Sequence, residues 1–348
     1  MKDYFHHTLL CDKMSTVKKT FFDLEKDNVA GEKYANDDEH FSIKMASSFN
    51  DDANAIVICD DVLNSCRKLK DGTFQLIVSS PPYNIGKAYE KQVGLDQYLD
   101  WQSQVASEMV RLLSPQGSLV WQVGNFVDNG EVFPLDIYFY PIYKKLGLHL
   151  RNRIVWHFDH GLHASKRFSG RYEVLLWFTK SNDYVFYLDP VRVPSKYPGK
   201  RHYKGNKIGQ LSGNPLGKNP SDFWTLMQDE FDRGVIDIPN VKSNHPEKTT
   251  HPCQFPIELI ERCVLSMSNE NDWILDPFGG VGSSLLAALK WKRRGVSIEQ
   301  NSDYCEITKE RLRLLENGQL PLRRLGKPVH QPTGKEKVAR FPVEWEKK

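Results

Sequence analysis

Short apolar runs of strand length alternate with segments of helical periodicity through most of the chain, and this alternation constrains the fold most strongly. Strands are predicted at 55–60, 74–79, 118–123, 153–157, 172–179, 273–276 and 295–299. Helices are predicted at 62–69, 98–113, 256–267, 284–292 and 304–315. Strands that alternate with helices form a mainly parallel twisted sheet with helices on both faces, so the sequence predicts an α/β fold.

The composition is that of a globular protein with a substantial core. The 348 residues are 40% hydrophobic and 26% charged, which excludes a fully disordered chain, a fibrous repeat and a disulfide-stapled miniprotein. No apolar run approaches the roughly 18 residues that cross a bilayer, and residues 1–13 lack a secretory signal. The six cysteines are isolated from one another, without Cys-x-x-Cys spacing. We therefore expect a reducing compartment and no structural zinc site.

Changes in composition divide the chain into segments. Residues 1–45 are polar, without sustained periodicity, and are predicted to form a flexible arm. Residues 191–221 form a basic, loop-rich insertion without Asp or Glu. The insertion is either a solvated face or a surface that follows nucleic-acid phosphates. Its cations, our candidate DNA contacts, are Arg192, Lys196, Lys200, Arg201, Lys204, Lys207 and Lys218. Residues 323–348 are a basic tail.

A glycine-rich turn follows the strand predicted at 273–276 and precedes a helix. Its residues run Asp276-Pro277-Phe278-Gly279-Gly280-Val281-Gly282-Ser283-Ser284. Glycines let the backbone approach a ligand closely, and the helix N-terminus supplies free N–H donors. Glu299 ends the next predicted strand, where an acid accepts hydrogen bonds from ribose hydroxyls. The pattern lacks the Gly-Lys-Ser/Thr of a triphosphate loop and favours a nucleoside ligand, although such turns also serve packing alone.

A second candidate site follows the strand predicted at 74–79. It reads Ser79-Ser80-Pro81-Pro82-Tyr83-Asn84. Consecutive prolines fix an extended turn and hold carbonyl oxygens at the carboxyl end of the strand, where open α/β sheets bind ligands. Ser80 adds a hydroxyl acceptor and Tyr83 a flat ring for stacking. The structural alternative is a proline turn with Tyr83 half-buried.

These motifs together resemble those of DNA methyltransferases that modify exocyclic amino groups. Residues 80–83 (Ser-Pro-Pro-Tyr) are similar to motif IV of that family, and residues 276–282 to its motif I. The segment before motif I is similar to residues 251–256. The strand and acid before motif IV resemble residues 58–60, and a further strand of the catalytic half resembles residues 171–180. The catalytic motif precedes the cofactor motif, which is the order of the family's β group.

The resemblance implies a Rossmann-like methyltransferase fold in circularly permuted order that uses S-adenosyl-L-methionine. Residues 46–185 would be the catalytic half, 186–248 a target-recognition insertion and 249–322 the cofactor-binding half. Glu299 would bind the ribose above the glycine turn. The implied cofactor-binding residues are Asp60, His251, Pro252, Asp276, Phe278, Gly279, Gly280, Gly282, Ser283, Ser284 and Glu299.

The implied reaction is direct methyl transfer to an amino nitrogen. That nitrogen is a poor nucleophile because its lone pair is delocalised into the ring. Hydrogen bonds from both amino protons to Ser80 Oγ and the Pro81 carbonyl would make this lone pair available for the reaction. Tyr83 would stack on the base, and the catalytic residues that the resemblance implies are Ser80, Pro81, Pro82 and Tyr83. Since the amine is unreachable inside a duplex, the base must be flipped out of double-stranded DNA.

The target base stays open at this point, with cytosine N4 slightly favoured over adenine N6. In this family Ser at the Ser80 position usually accompanies cytosine and Asp or Asn adenine, but Ser79 stands where the cytosine pattern has Thr. Methylation of RNA or a protein glutamine, and an inactive DNA-binding module, are the alternatives. The resemblance also implies a paired restriction endonuclease and the cytoplasm of a prokaryote or its phage, and leaves a homodimer open.

Two further patterns receive structural interpretations. His157, Asp159, His160 and His163 suggest a metal site by spacing, but with no partner cluster nearby we favour a loop or a DNA-facing turn and predict no metal. Four tryptophans are predicted to lie in the core, at positions 101, 121, 156 and 177.

Overall fold

The computed structural model describes residues 42–86, 92–158, 163–195, 197–224, 238–242 and 245–323. Several sequence-based predictions lie outside these residues: the arm as far as residue 41, Asp159 and His160, Lys196, and the tail from residue 324.

A nine-stranded sheet forms the centre of the described chain. Its strands are β1 (Met45–Ala46), β2 (Ala55–Cys59), β3 (Phe74–Ser79), β4 (Leu113–Val123), β7 (His149–His157), β8 (Tyr172–Thr179), β9 (Phe223–Trp224), β10 (Trp273–Asp276) and β11 (Arg294–Glu299). The spatial order is β1-β2-β11-β10-β3-β4-β8-β7-β9. In this spatial order, each pair of neighbouring strands from β1 through β11 and β10 to β4 is parallel, whereas β8 runs antiparallel to both β4 and β7. The predicted mainly parallel α/β sheet is confirmed.

Six helices of the described chain accompany the sheet, and two buried clusters lie on its opposite faces. The helices are α1 (Val62–Cys66), α2 (Leu95–Leu112), α3 (Leu135–Lys145), α4 (Ile257–Met267), α5 (Ser283–Lys290) and α6 (Ser302–Glu316). Apolar residues of α1, α2 and α3 pack on one face, and those of α4, α5 and α6 on the other. Strands buried on both faces explain why their sequences are continuous apolar runs rather than alternating patterns.

The permuted chain order places β10 beside β3. The connections from β3 and from β10 lead away in opposite directions, β3 toward β4 and β10 toward β11. A crevice opens outside the carboxyl ends of the strands at such a switch point, and ligands bind there in open α/β sheets. Residues 79–84 and 276–284 follow these two strands directly.

The structure differs from the predicted elements in a few places. Residues 43–45, assigned to the arm, contact the body: Ile43 N donates to Glu316 Oε1 at 2.7 Å, and Met45 pairs with Ala55. The helix predicted at 62–69 is regular only to Cys66, and α2 passes straight into β4 without the expected break at Pro115. Helix α3 and a hairpin of β5 (Asn125–Asp128) and β6 (Glu131–Pro134) were not predicted.

The tryptophan prediction is confirmed at three of four positions. Trp121, Trp156 and Trp177 are buried. Trp101 is only partly buried, and its ring packs edge-on to Phe278 at 5.7 Å between centroids. Trp101 therefore belongs to the wall of a cavity rather than to the core.

Candidate active site

A cavity of about 900 Å³ lies at the carboxyl ends of β2, β3, β10 and β11. Both sequence motifs line it, the proline corner through Ser80, Pro81, Pro82 and Tyr83, and the glycine turn through Phe278, Gly279, Gly280 and Ser283. Asp60, His251, Pro252 and Glu299 line the same space. The two motifs, about 200 residues apart in sequence, thus face each other across one site.

Asp276 joins the two motifs directly. Its Oδ1 accepts hydrogen bonds from Ser79 Oγ at 2.5 Å and Phe278 N at 3.1 Å, and its Oδ2 accepts one from Ser284 Oγ at 2.6 Å. The side chain is buried, and loss of solvation raises the pKa of Asp276 to about 6 although all three donors oppose the shift. Asp276 and Ser284 therefore fix the shape of the site from behind its wall.

Two positions of the glycine turn have no room for a side chain. A Cβ on Gly279 would lie 1.8 Å from Ser297 Oγ, so no side chain fits. Gly282 has φ of 80° and is the N-cap of α5, where a Cβ would come within 2.5 Å of Thr308 Cγ2. Glycine at these two positions therefore lets the turn pack closely against β11 and α6.

Glu299 braces the turn while it faces the cavity. Its Oε2 accepts a hydrogen bond from Gly280 N at 3.0 Å, and its Oε1 accepts one from Asn301 N at 2.8 Å. Burial raises the pKa of the Glu299 carboxyl against these two donors. A carboxylate held in this way at the end of a strand has remaining lone pairs for ribose hydroxyls.

The residues around the turn suit a nucleoside cofactor. Ser283 Oγ is buried in the cavity wall and has no hydrogen-bond partner among the described residues, so it offers an unused polar group to a ligand. Phe278 and Trp101 supply apolar surface beside it. This combination of a carboxylate, an unpaired hydroxyl and aromatic walls fits the adenosine part of S-adenosylmethionine.

His251 covers the glycine turn from the opposite side. Its Nε2 lies 3.3 Å from the position of a Cβ on Gly280, and its ring meets Tyr304 edge-on at 4.7 Å. Burial lowers the pKa of His251 to about 4, so the imidazole is neutral at pH 7. Its Nδ1 accepts a hydrogen bond from Cys253 N at 3.2 Å, which fixes the ring.

Asp60 lies in the cavity wall with 38% of its side chain exposed. Its Oδ1 accepts a hydrogen bond from Asp61 N at 2.7 Å, and its Oδ2 lies 3.3 Å from Lys68 Nζ. The Asp61 N–H and then Lys68 hold the pKa of Asp60 below its usual value. It is therefore ionised when a ligand arrives.

The proline corner is rigid and presents its polar atoms to the cavity. Ser80 Oγ and Tyr83 OH lie 3.0 Å apart, and Tyr98 OH donates to the Pro82 carbonyl at 2.8 Å. Asn84 has φ of 60° and closes the following loop through paired hydrogen bonds with Val93. The Tyr83 ring stands against Gly124, where a Cβ would come within 3.0 Å of Tyr83 Cε2. A planar ring can stack on Tyr83 while its amino group faces Ser80.

Several cavity residues were missed by sequence reasoning. Trp101, Asn125 and Tyr304 line the cavity. So do Gln122 and Glu173, whose side chains are joined by a hydrogen bond from Gln122 Nε2 to Glu173 Oε2. Burial raises the pKa of Glu173 to about 7. One usable signal was present in the sequence, a lone acid at the start of a strand that is otherwise apolar.

The basic insertion, residues 191–221, has little regular structure and is called the basic arm below. Isolated bridges pair Val193 with Lys218 and Arg201 with Leu211. Arg192 is mostly buried and bonds Asp189 at 2.8 Å and the Gly217 carbonyl at 3.1 Å, so it anchors the arm. Five of the predicted DNA contacts are exposed on the arm: Lys200, Arg201, Lys204, Lys207 and Lys218. Tyr197 and Tyr203 are exposed beside them, at 66% and 75% of their surface.

The described residues of the histidine pattern are held by neighbouring side chains. His157 stacks on Phe223 at 6.2 Å, and His163 Nδ1 lies 3.3 Å from Arg171 Nη2. Within the described ranges no three His, Cys, Asp or Glu residues are grouped to hold a metal ion. No described helix combines the length and apolar character that crossing a membrane requires.

Comparison with known proteins places this site in a family. Residues 74–310 match the family model of the N6/N4 DNA methylases. The chain is 44% identical over 272 residues to the type II methyltransferase M.BglII of Bacillus subtilis. This match covers 78% of this chain and 72% of the relative. It is 34% identical to the type II methyltransferase M.ScaI of Streptomyces caespitosus and 30% identical to the DNA adenine methyltransferase YhdJ of Escherichia coli. These matches cover 77% and 76% of this chain and 84% of each relative.

Solved structures agree with this assignment. A protein of Thermus thermophilus assigned as a DNA modification methylase, in complex with S-adenosyl-L-methionine, matches with a TM-score of 0.51 and 26% identity over 79% of this chain and 99% of that one. The cytosine-N4-specific PvuII DNA methyltransferase shares the fold, with a TM-score of 0.54 and 18% identity over 83% of this chain and all of the other. With the two motifs on one cavity, these matches show that the chain belongs to the N6/N4 DNA methylase family and is an S-adenosylmethionine-dependent DNA methyltransferase.

Proposed function

We propose that this enzyme methylates the N4 amino group of a cytosine flipped out of a specific site in duplex DNA. The observation that carries the proposal is Ser80 in the proline corner, with its hydroxyl 3.0 Å from Tyr83 OH and facing the cavity of the glycine turn. In the family pattern, serine at this position usually accompanies cytosine. A neutral hydroxyl suits the target because it can accept from an amino proton without an ionised group at that point.

The residues of the glycine turn would hold S-adenosylmethionine, which supplies an electrophilic methyl group on its sulfonium. Glu299 would accept hydrogen bonds from the ribose hydroxyls, while Phe278 and Trp101 contact the apolar parts of the nucleoside. His251 lies next to Gly280, Pro252 lines the same cavity, and both would bound the methionine end. Because the pKa of His251 is lowered, its ring is neutral and does not repel the positive charge of the sulfonium.

The proline corner would orient the base and free its lone pair. Hydrogen bonds from the amino protons to Ser80 Oγ and the Pro81 carbonyl make the nitrogen pyramidal, and stacking on Tyr83 keeps its lone pair in line with the methyl group. Rigid placement of this kind lowers the barrier mainly by orientation and preorganised dipoles. Tyr98 would hold the corner in place through the Pro82 carbonyl.

The basic arm would recognise the target sequence. Its five exposed cations suit DNA phosphates, and the exposed Tyr197 and Tyr203 can reach bases. We assign residues 46–185 and 249–322 to the two halves of the catalytic domain and 186–248 to target recognition. Arg192 is excluded from this role, because its guanidinium is tied to Asp189.

The relatives named as type II methyltransferases support a restriction-modification role for this chain. We propose that the enzyme protects DNA in a bacterial cytoplasm against an endonuclease that cuts the same sequence. Plasmid DNA from cells that express the enzyme should resist an endonuclease encoded beside its gene, and cleavage at the same rate as unmodified plasmid would reject the pairing.

Mass spectrometry of nucleosides tests the target base directly. Duplex DNA is incubated with the purified enzyme and S-adenosylmethionine, then digested completely. We expect N4-methylcytosine. Detection of N6-methyladenine would show that the target base is adenine and not cytosine. In a parallel assay with labelled S-adenosylmethionine, label transferred only to RNA or to protein from a cell extract would reject DNA as the substrate.

Tyr83→Ala tests the stacking role. The variant should lower the single-turnover methylation rate by about 100-fold or more, because loss of base positioning is felt in the transition state. The dissociation constant of S-adenosylmethionine, measured by calorimetry, should stay within about twofold. A wild-type rate would remove Tyr83 from the mechanism.

A further inference from the structure

A carboxyl group stands beside the predicted base position without a part in the reaction described so far. Glu173, at the start of β8, lies in the cavity wall. A Cβ built on Gly124 would lie 3.4 Å from Glu173 Oε1 and 3.0 Å from Tyr83 Cε2, so the carboxyl and the Tyr83 ring are neighbours at Gly124. Both line the cavity, so a base stacked on Tyr83 would lie in the same part of it as the Glu173 carboxyl.

One hydrogen bond orients this carboxyl. Gln122 Nε2 donates to Glu173 Oε2 from the neighbouring strand β4, and this is the single hydrogen bond of the Glu173 carboxyl within the described part of the chain. Oε1 is therefore left available on the side of Gly124 and Tyr83. An amide that holds one oxygen and leaves the other toward a cavity is an arrangement typical of a functional carboxylate.

The other carboxylates of the cavity are occupied or distant from the proline corner. Glu299 is bonded to Gly280 N and Asn301 N, and Asp60 to Asp61 N and Lys68. Ser80 supplies a hydroxyl, and a hydroxyl does not take up a proton at neutral pH. The proline corner thus lacks a group that can carry away a proton.

Methyl transfer to an amine releases a proton. The amino nitrogen forms a bond to the methyl carbon, the sulfur keeps the electron pair of the broken C–S bond, and the nitrogen must lose one N–H proton to become neutral. We infer that the Glu173 carboxylate, oriented by Gln122 beside Tyr83, accepts this proton and later returns it to solvent. The inference rests on the proposed function, since it needs an amine bound at the proline corner.

The environment of Glu173 suits a proton acceptor. Burial raises the pKa of Glu173 to about 7, close to the working pH, and Lys242 opposes the shift by its positive charge. The Tyr83 ring lies beside the carboxyl at Gly124, and His163 and Arg167 line the same cavity. The carboxylate form increases as pH rises through about 7, so the methylation rate should rise over the same range.

Single-turnover methylation by Glu173→Gln tests the inference. At pH 8 the rate should fall by about 100-fold, and the rise through pH 7 seen for wild type should disappear. Glu173→Asp keeps a carboxyl group and should recover part of the rate with its pH dependence. Lys242→Met should move the inflection to higher pH, since it removes the opposing charge, whereas His163→Asn should keep the inflection in place.

Two measurements separate this inference from folding and from the proposed function. Calorimetry should give Glu173→Gln the wild-type affinity for S-adenosylmethionine, and infrared titration of the protein without ligands should lose one carboxyl group that titrates near pH 7. A wild-type rate and profile in Glu173→Gln would overturn the inference while leaving the proposed function intact. An equal loss of rate at every pH would also overturn it, because it would indicate positioning alone. Absence of DNA methylation by wild type would instead reject the proposed function.

Discussion

The hydrogen bond from Ser79 to Asp276 connects the two halves of the site, and Ser79→Ala removes it. The donor lies 2.5 Å from Oδ1 of a buried carboxyl. A hydrogen bond to a charged group contributes about 1.5–3 kcal/mol, so we expect a loss of about 2 kcal/mol in the free energy of unfolding at pH 8. The lost donor also raises the pKa of Asp276 above about 6 in the variant.

The loss of stability in Ser79→Ala should depend on pH, because Asp276 titrates with a raised pKa. A pKa raised by folding means that the native state holds the proton more tightly, so ionisation of Asp276 reduces stability as pH rises through about 6. Because Ser79 favours the ionised form, its removal should cost more at pH 8 than at pH 5, where the carboxyl is largely protonated.

Urea unfolding at the two pH values, with Ser65→Ala as the matched control, is the assay. Ser65 is equally buried, but its hydroxyl has no partner within the described residues, so its replacement should change stability by less than about 0.5 kcal/mol. Equal losses in the two variants, or a Ser79→Ala loss that is the same at both pH values, would refute the reasoning.

Three further predictions concern the cavity and the basic arm. Glu299→Ala should weaken binding of S-adenosylmethionine by at least tenfold in calorimetry, and an unchanged dissociation constant would contradict the ribose role. Gly124→Ala places a methyl group 3.0 Å from Tyr83 Cε2 and should lower the methylation rate at least tenfold while cofactor affinity is retained. An unaltered rate would show that the packing of Tyr83 against Gly124 does not control methylation. Lys204→Ala with Lys207→Ala should reduce the slope of log K against log salt for DNA by about 2, and a wild-type slope would exclude phosphate contacts there.

The sequence predicted the sheet because its signal is local. Runs such as 55–57 and 174–179 are buried on both faces, so their apolar character is visible in the sequence itself. The two motifs were predictable for a related reason, since glycine and proline impose a backbone shape wherever they occur. The structure then brings Ser79 and Asp276 within hydrogen-bond distance, as strands β3 and β10 are adjacent.

The missed elements depend on contacts that no local pattern encodes. Helix α3 contains Pro141 and a mixed run of aromatic residues, so its helical period is obscured, and tertiary packing of Phe139 and Tyr143 stabilises it. Glu173 and Gln122 lie on different strands, and their meeting depends on the antiparallel pairing of β8 with β4. Arg192 was indistinguishable from its cationic neighbours until the structure placed it against Asp189.

The most direct test of the central claim is a crystal structure of the enzyme with a target duplex and an unreactive analogue of S-adenosylmethionine. The account predicts the analogue along the glycine turn with its ribose on Glu299, and one base outside the helix, stacked on Tyr83. The amino nitrogen should lie about 3–3.5 Å from the position of the transferable methyl group. A target base still paired in the duplex, or an analogue bound away from residues 278–283, would contradict it.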